Sequence, residues 1–227
     1  MTPELERYSS AVEDYLKVIY ALEEREQGEI TTSRLAERLG VSASSVSGMV
    51  RKLCELDLLH HPRYGGIRFT DTGRQVALGV VRRHRLIESY LVAELGYGWD
   101  EVHDEAEVLE HAVSDRMLDR MSAKLGDPAV DPHGDPIPSR DGHLGPWNAR
   151  RLSGVELGTA GEFVRVDDGD PGMLRHLTSE GIGLGARLQL LERAPYGGSF
   201  VVRVGEMTRQ LGPELVEAMW LRVEGQP

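Results

Sequence analysis

TTSRLAERLGVSASSVSGMVRKLCELDLL, residues 31–59, spells two short helices joined by a tight turn. The first run opens on a Thr start signal and stops at Gly40, a residue type that enters the left-handed region without a Cβ penalty. The second opens on Ser42, a good N-cap, and puts Val46, Val50 and Leu53 on one face. Just before them, AVEDYLKVIYALEER (11–25) carries Val12, Leu16, Ile19, Tyr20 and Leu22 in a helical stripe. Just after them, the runs LHH and IRFT flank PRYGG and predict a two-stranded wing. Helix, helix, turn, helix, hairpin is the order of a winged helix-turn-helix. Its second short helix offers Ser42, Ser44, Ser45 and Ser47, then Arg51 and Lys52. Small hydroxyl residues let a helix end approach a phosphate backbone closely, and the two cations can reach it. Ordinary capping accounts for Ser42 by itself. Arg63 and Arg68 on the wing suit phosphate or solvent equally.

Charge divides the chain. The 227 residues carry a net charge of −11, which argues against a simple nucleic-acid binder. From 30 to 75, however, seven Lys and Arg stand against four Asp and Glu, a balance of +3. From 98 to 142, four stand against twelve, a balance of −8. One segment suits a polyanion and the other suits cations. Hydrophobic residues make up 40% of the chain, so a globular protein of two or three small domains is expected. No apolar run reaches membrane-spanning length, and Met1 is not followed by a signal-peptide pattern. The single Cys54 allows no internal disulfide and is expected in a core, so a cytoplasmic location is expected.

Beyond the wing, a long helix is predicted from Asp71 to about Gly96, apolar at Val76, Val80, Leu86, Ile87, Leu91 and Leu95. Two more follow, DEVHDEAEVLEHAV and DRMLDRMSAKL, and three such helices suggest a dimer interface. Inside the first of these two, HDEAEVLEH places His103, Glu107, Glu110 and His111 on one helical face. No Lys or Arg lies in that segment to pair with the carboxylates. Two imidazoles and two carboxylates make a divalent-metal site with nitrogen and oxygen donors and no thiolate. Taken alone, the stretch reads more readily as a solvated acidic face. GDPAVDPHGDPIPSRDGHLGP (126–146) reads as a linker, and EFVRV, RLQLLER, SFVVRV and MWLRV read as strands of a small antiparallel barrel.

In this order, with RHRLIESYL, VHDEAEVLEH and DPHGDPIP, the chain resembles the diphtheria-toxin-repressor family of metal-dependent regulators. The likeness is nearest to its manganese-responsive branch with a C-terminal FeoA-type domain, and it is close from about Val12 to Pro138. It implies a mainly α protein: a winged helix-turn-helix at 1–74, a helical metal-binding and dimerisation domain at 75–145, and a small FeoA-like β-barrel at 146–227. It implies a primary metal site of Asp14, Glu107, Glu110 and His111. Iron-responsive members have Met and Cys at the positions of Asp14 and Glu107, so carboxylates there suit Mn(II), with Fe(II) or other divalent transition metals as alternatives. From the residues alone, Asp14 is an exposed first-turn acid. The resemblance also implies an ancillary site of His84, Glu88 and His103, with a further ligand from the last domain at Glu162, Asp167 or Asp168. Lys17 stands where barrel-less manganese regulators have a second acid, so two separate sites are expected rather than a shared cluster. Gly48 replaces a common base-reading Gln. The implied function is a homodimeric, manganese-activated repressor of metal-uptake genes that binds palindromic operator DNA. An iron-responsive regulator is the alternative. A metallohydrolase, or a winged-helix sensor of a small organic ligand, would leave either the helix-turn-helix or the ligand pattern without a role.

Overall fold

The computed structural model describes residues 8–25 and 28–223. They form two compact units. The first runs to His84 and adds 138–143, and the second holds 85–137 and the chain from Leu144 onward.

The first unit is the winged helix-turn-helix. Helix α1 (Ser10–Arg25) buries Val12, Leu16, Ile19 and Leu22. Helix α2 (Thr32–Leu39) starts on Thr31, whose side chain accepts the Arg34 amide, and ends on Gly40 at φ +65°. Helix α3 (Ala43–Glu55) starts on Ser42, as its N-cap position predicts. Strands β1 (Leu59–His60) and β2 (Arg68–Phe69) pair antiparallel as the wing. Their core joins Leu16, Leu35, Val50, Leu53, Leu58 and Ile67, with Cys54 packed half-buried against it. Glu13 is also buried, 3.2 Å from Arg83, so an ion pair pins α1 to the helix after the wing. That helix, α4 (Asp71–Leu95), passes from the first unit into the second.

The second unit adds α5 (Val102–Leu109) and α6 (Asp115–Lys124), packed on α4 around Leu86, Ile87, Val102, Ala106 and Leu118. The predicted apolar run of α4 ends early: Leu95 is exposed. The expected α5 is shorter too. It stops at Leu109, where the amides of both Ala112 and Val113 turn back to the Leu109 carbonyl. Ser114 then caps α6 by accepting the Met117 amide, so the chain must leave one helix to start the next.

The C-terminal part is a six-stranded antiparallel sheet. Its strands are β3 (Arg150–Arg151), β4 (Ala160–Val166), β5 (Arg187–Arg193), β6 (Phe200–Val204), β7 (Met207–Leu211) and β8 (Met219–Val223), in the order β3-β8-β4-β5-β6-β7. Among the described residues β3 and β7 do not pair, so the sheet is open where a closed barrel was expected. Short helices α7 (Pro171–Ser179) and α8 (Pro213–Glu217) cover it, and neither was legible beforehand.

The expected linker is the larger correction. Asp131, His133, Asp135 and Ile137 are buried. The loop bonds to β4 through the Val166 amide and the His133 carbonyl at 2.9 Å. Gly134 sits at φ +85°, and a Cβ there would lie 1.9 Å from the Val164 carbonyl oxygen. Gly134→Ala should therefore destabilise this unit by at least about 1–3 kcal/mol, the range for forced backbone strain, read as a lower unfolding midpoint. A midpoint equal to that of the parent chain would mean that the loop yields freely.

Candidate metal centre and nucleic-acid interface

Helix α3 presents an open polar face. Ser42, Ser44, Ser45, Ser47, Arg51 and Lys52 are all exposed. Ser42 Oγ accepts the Ser45 amide at 3.2 Å and lies 2.8 Å from the hydroxyls of Ser44 and Ser45. Ser47 Oγ donates back to the Ala43 carbonyl at 2.8 Å. These hydroxyls thus stiffen the first turn of α3. A Cβ on Gly48 would meet nothing within 4 Å, so the middle of the face is bare. On the wing, Arg63 lies over the exposed ring of Tyr64 at 5.5 Å. Arg51→Ala should weaken DNA binding across all sequences and reduce the slope of log affinity against log salt by about one. Loss confined to one base position would instead make Arg51 a base reader.

The acidic stretch divides into two pairs. His103 Nε2 lies 3.4 Å from Glu107 Oε1 on α5. Just past the end of α5, His111 Nε2 lies 3.6 Å from Glu110 Oε1, and that carboxylate is fully buried. A buried carboxylate beside an imidazole suits a metal ligand pair. Asp14 is half-buried on α1 in the first unit, with half-buried Lys17 three residues on.

A second constellation surrounds Glu88. His84 and Glu88 are one turn apart on α4, and both are buried. His103 Nδ1 lies 3.3 Å from Glu88 Oε1 and 3.2 Å from Asp168 Oδ2. Burial opposes a charge on His103, but hydrogen bonds and charges from Asp168 and Glu88 outweigh it and raise its pKa to about 10. A field that holds a proton on a half-buried imidazole is strongly negative. The oxygen and nitrogen donors fit a divalent cation, which would displace that proton.

Of the three acids considered from the last domain, only Asp168 is placed here. Glu162 lies opposite Arg222 across β4 and β8 and pairs with it at 3.0 Å, exposed. Asp167 accepts the Gly169 amide at 3.0 Å. Strand alternation was the available signal, since Glu162 neighbours buried Phe163 and must face the other way.

Sequence reasoning missed the charges behind this site. Arg85, Asp131, Asp135 and Arg165 are buried together. Arg85 lies 3.7 Å from Asp131 and 3.6 Å from Asp135, and Arg165 pairs with Asp135 as well. The Arg165 guanidinium also lies over the rings of Trp220, at 4.9 Å, and Trp147, at 5.5 Å. Burial, then the charges of Asp135 and Glu88, push the Asp131 carboxyl well above its usual range against the pull of Arg85 and His133.

Three family models match in sequence order. They are the N-terminal DNA-binding domain of iron-dependent repressors at 7–67, their metal-binding and dimerisation domain at 70–139, and the FeoA domain at 150–223. The iron-dependent repressor IdeR of Mycobacterium tuberculosis is 32% identical over 219 residues, covering 91% of this chain and 94% of that protein. A solved manganese-dependent transcriptional repressor in complex with manganese is 50% identical, covers 92% of this chain and 98% of its own, and superposes with a TM-score of 0.88. The structure of ScaR with bound Cd2+ is 32% identical, covers 94% of this chain and 98% of its own, and has a TM-score of 0.82.

Proposed function

The chain belongs to the family of iron-dependent and diphtheria-toxin repressors, and from that membership we propose that it is a manganese-activated repressor of metal-uptake genes, acting in the cytoplasm through two separate metal sites. It is a metal-dependent transcriptional repressor that binds operator DNA as a dimer, and it is not an enzyme. The assignment to manganese rests on one observation. Glu107 and Asp14 are carboxylates where the iron-responsive branch carries sulfur, and no Cys or Met stands in either ligand set. That the 50% identical solved repressor is manganese-dependent supports the same reading.

In this reading, Asp14, Glu107, Glu110 and His111 hold the primary ion, and His84, Glu88, His103 and Asp168 hold the ancillary one. The bound ion supplies a compact divalent charge on which donors from separate elements converge. Asp14 carries the consequence to DNA, because it sits on the helix that packs against α2 and α3. Its neighbour Glu13 already ties that helix to α4 through Arg83. An ion bound by Asp14 together with the other primary donors would set the attitude of α3 in each protomer. Two such helices must lie about one DNA turn apart, roughly 34 Å, to enter successive major grooves of a palindrome. Linkage then requires that operator DNA tighten metal binding by the same factor. Exposed Leu95, Val108 and Met117 on or beside the three helices supply apolar surface for the subunit interface. The domain limits that go with this division are 1–74, 75–145 and 146–227.

An iron-responsive regulator is the second reading, favoured by the name of the 32% identical relative. One titration separates the two: operator affinity at fixed salt with Mn(II), Fe(II), Zn(II) or chelator. Activation by Mn(II) at lower free concentration than the Irving–Williams order alone allows is expected. Equal affinity in Mn(II) and in chelator would overturn metal activation altogether.

A further inference from the structure

Three of the ancillary donors, Glu88, His103 and Asp168, come from three elements distant in sequence: α4, α5 and the end of β4. A metal site works only if its donors are held to a fraction of an ångström. One buried residue outside the donor set touches α4, β4 and the chain just before α5. The His133 carbonyl accepts the Val166 amide at 2.9 Å, two residues before Asp168. The His133 Nε2–H donates to the Trp99 carbonyl at 2.7 Å, on the approach to α5. Its Nδ1 faces Glu88 Oε2 at 3.9 Å, and both side chains are wholly buried. The loop beneath it is rigid, because Asp131 Oδ1 accepts the amides of both His133 and Asp135, at 2.8 and 2.9 Å.

Glu88 is thereby shared between two imidazoles. Its Oε1 faces His103 and its Oε2 faces His133. The bond to Trp99 fixes the His133 ring, so Nδ1 cannot turn away, and among the described residues Nδ1 has no hydrogen-bond partner of its own. We propose that His133 is a positioning residue for the ancillary metal: it orients the Glu88 carboxylate so that Oε1 is presented with His103 and Asp168. This rests on the reading of Glu88, His103 and Asp168 as that site. Outer partners of this kind orient the ligand and are worth roughly 10–100-fold in metal affinity.

Two substitutions separate orientation of Glu88 from mere filling of the loop. His133→Gln keeps a donor near Trp99 and removes the atom that faces Glu88. His133→Asn does the reverse. In neither is the backbone bond to Val166 removed. Mn(II) binding to the full-length dimer is measured by calorimetry, with His103→Ala as the reference that lacks the ancillary site and with unfolding midpoints taken in chelator. His133→Gln should weaken only the ancillary class of Mn(II), by roughly 10–100-fold. His133→Asn should stay within about threefold of the parent chain, well below that range. If His103→Ala removes the ancillary class but His133→Gln binds like the parent, or His133→Asn loses as much as His133→Gln, the positioning role is wrong. If His103→Ala itself leaves Mn(II) binding unchanged, the ancillary site is wrong and this inference goes with it.

Discussion

His111→Ala should leave a folded dimer whose operator affinity no longer rises with Mn(II). The substitution removes a nitrogen donor without replacing it. Glu110, fully buried 3.6 Å away, then loses the imidazole beside it with which it would share a cation. Losing an outer-sphere partner costs roughly 10–100-fold in metal affinity, so losing a donor that touches the ion should exceed about 100-fold. Folding should survive. His111 is partly exposed, belongs to none of the apolar clusters, and lies in the turn between α5 and α6. The check is operator affinity across a Mn(II) titration, with the oligomeric state measured in parallel. Undiminished Mn(II) stimulation would remove His111 from the primary set. Loss of the dimer would make the effect one of assembly instead.

The second large effect is a change of metal. Asp14→Met with Glu107→Cys should move activation from Mn(II) toward Fe(II) and softer ions. Mn(II) is the weakest binder of its divalent series at any given nitrogen, oxygen or sulfur site. Hard carboxylates are what narrow that handicap, and a thioether and a thiolate widen it again. Glu107 is also half-exposed beside His103, so the change does not open a cavity in a core. The ratio of Mn(II) to Fe(II) concentrations needed for half-maximal DNA binding is the measurement, made anaerobically. An unchanged ratio would place selectivity outside the primary site, in the donors around Glu88.

The DNA-binding half was legible because its signals are local. Thr31, Gly40 and Ser42 each act on the backbone within three or four residues, and the structure places each at the helix end it marks. The face shared by His103 and Glu107 was legible for the same reason, since helical spacing alone makes it. Legibility failed where partners are remote. Pro and Gly in 126–146 correctly excluded helix, but composition says nothing of burial. Asp131 and Asp135 in that loop are buried because Arg85 and Arg165, distant in sequence, meet them. Likewise, the strands announced themselves by composition, whereas openness of the sheet depends on whether its first and last strands meet. Asp168 emerged over Glu162 only once the Arg222 register was known.

The buried Arg165 has an optical consequence. The chain has three tryptophans, and all fall in the second unit. Trp147 and Trp220 flank the Arg165 guanidinium, and Trp99 gives its carbonyl to His133 and its indole N–H to Thr178 at 2.9 Å. The helix-turn-helix contains none. Intrinsic fluorescence of the unlabelled protein is therefore a private channel: it reports on the seam where the sheet meets the metal helices and is silent about the DNA-reading helices themselves. Excitation near 295 nm, by the ordinary absorption of indole, would follow filling of the ancillary site without a dye. Any emission change on adding operator DNA would then be a signal that had travelled from one half of the molecule to the other.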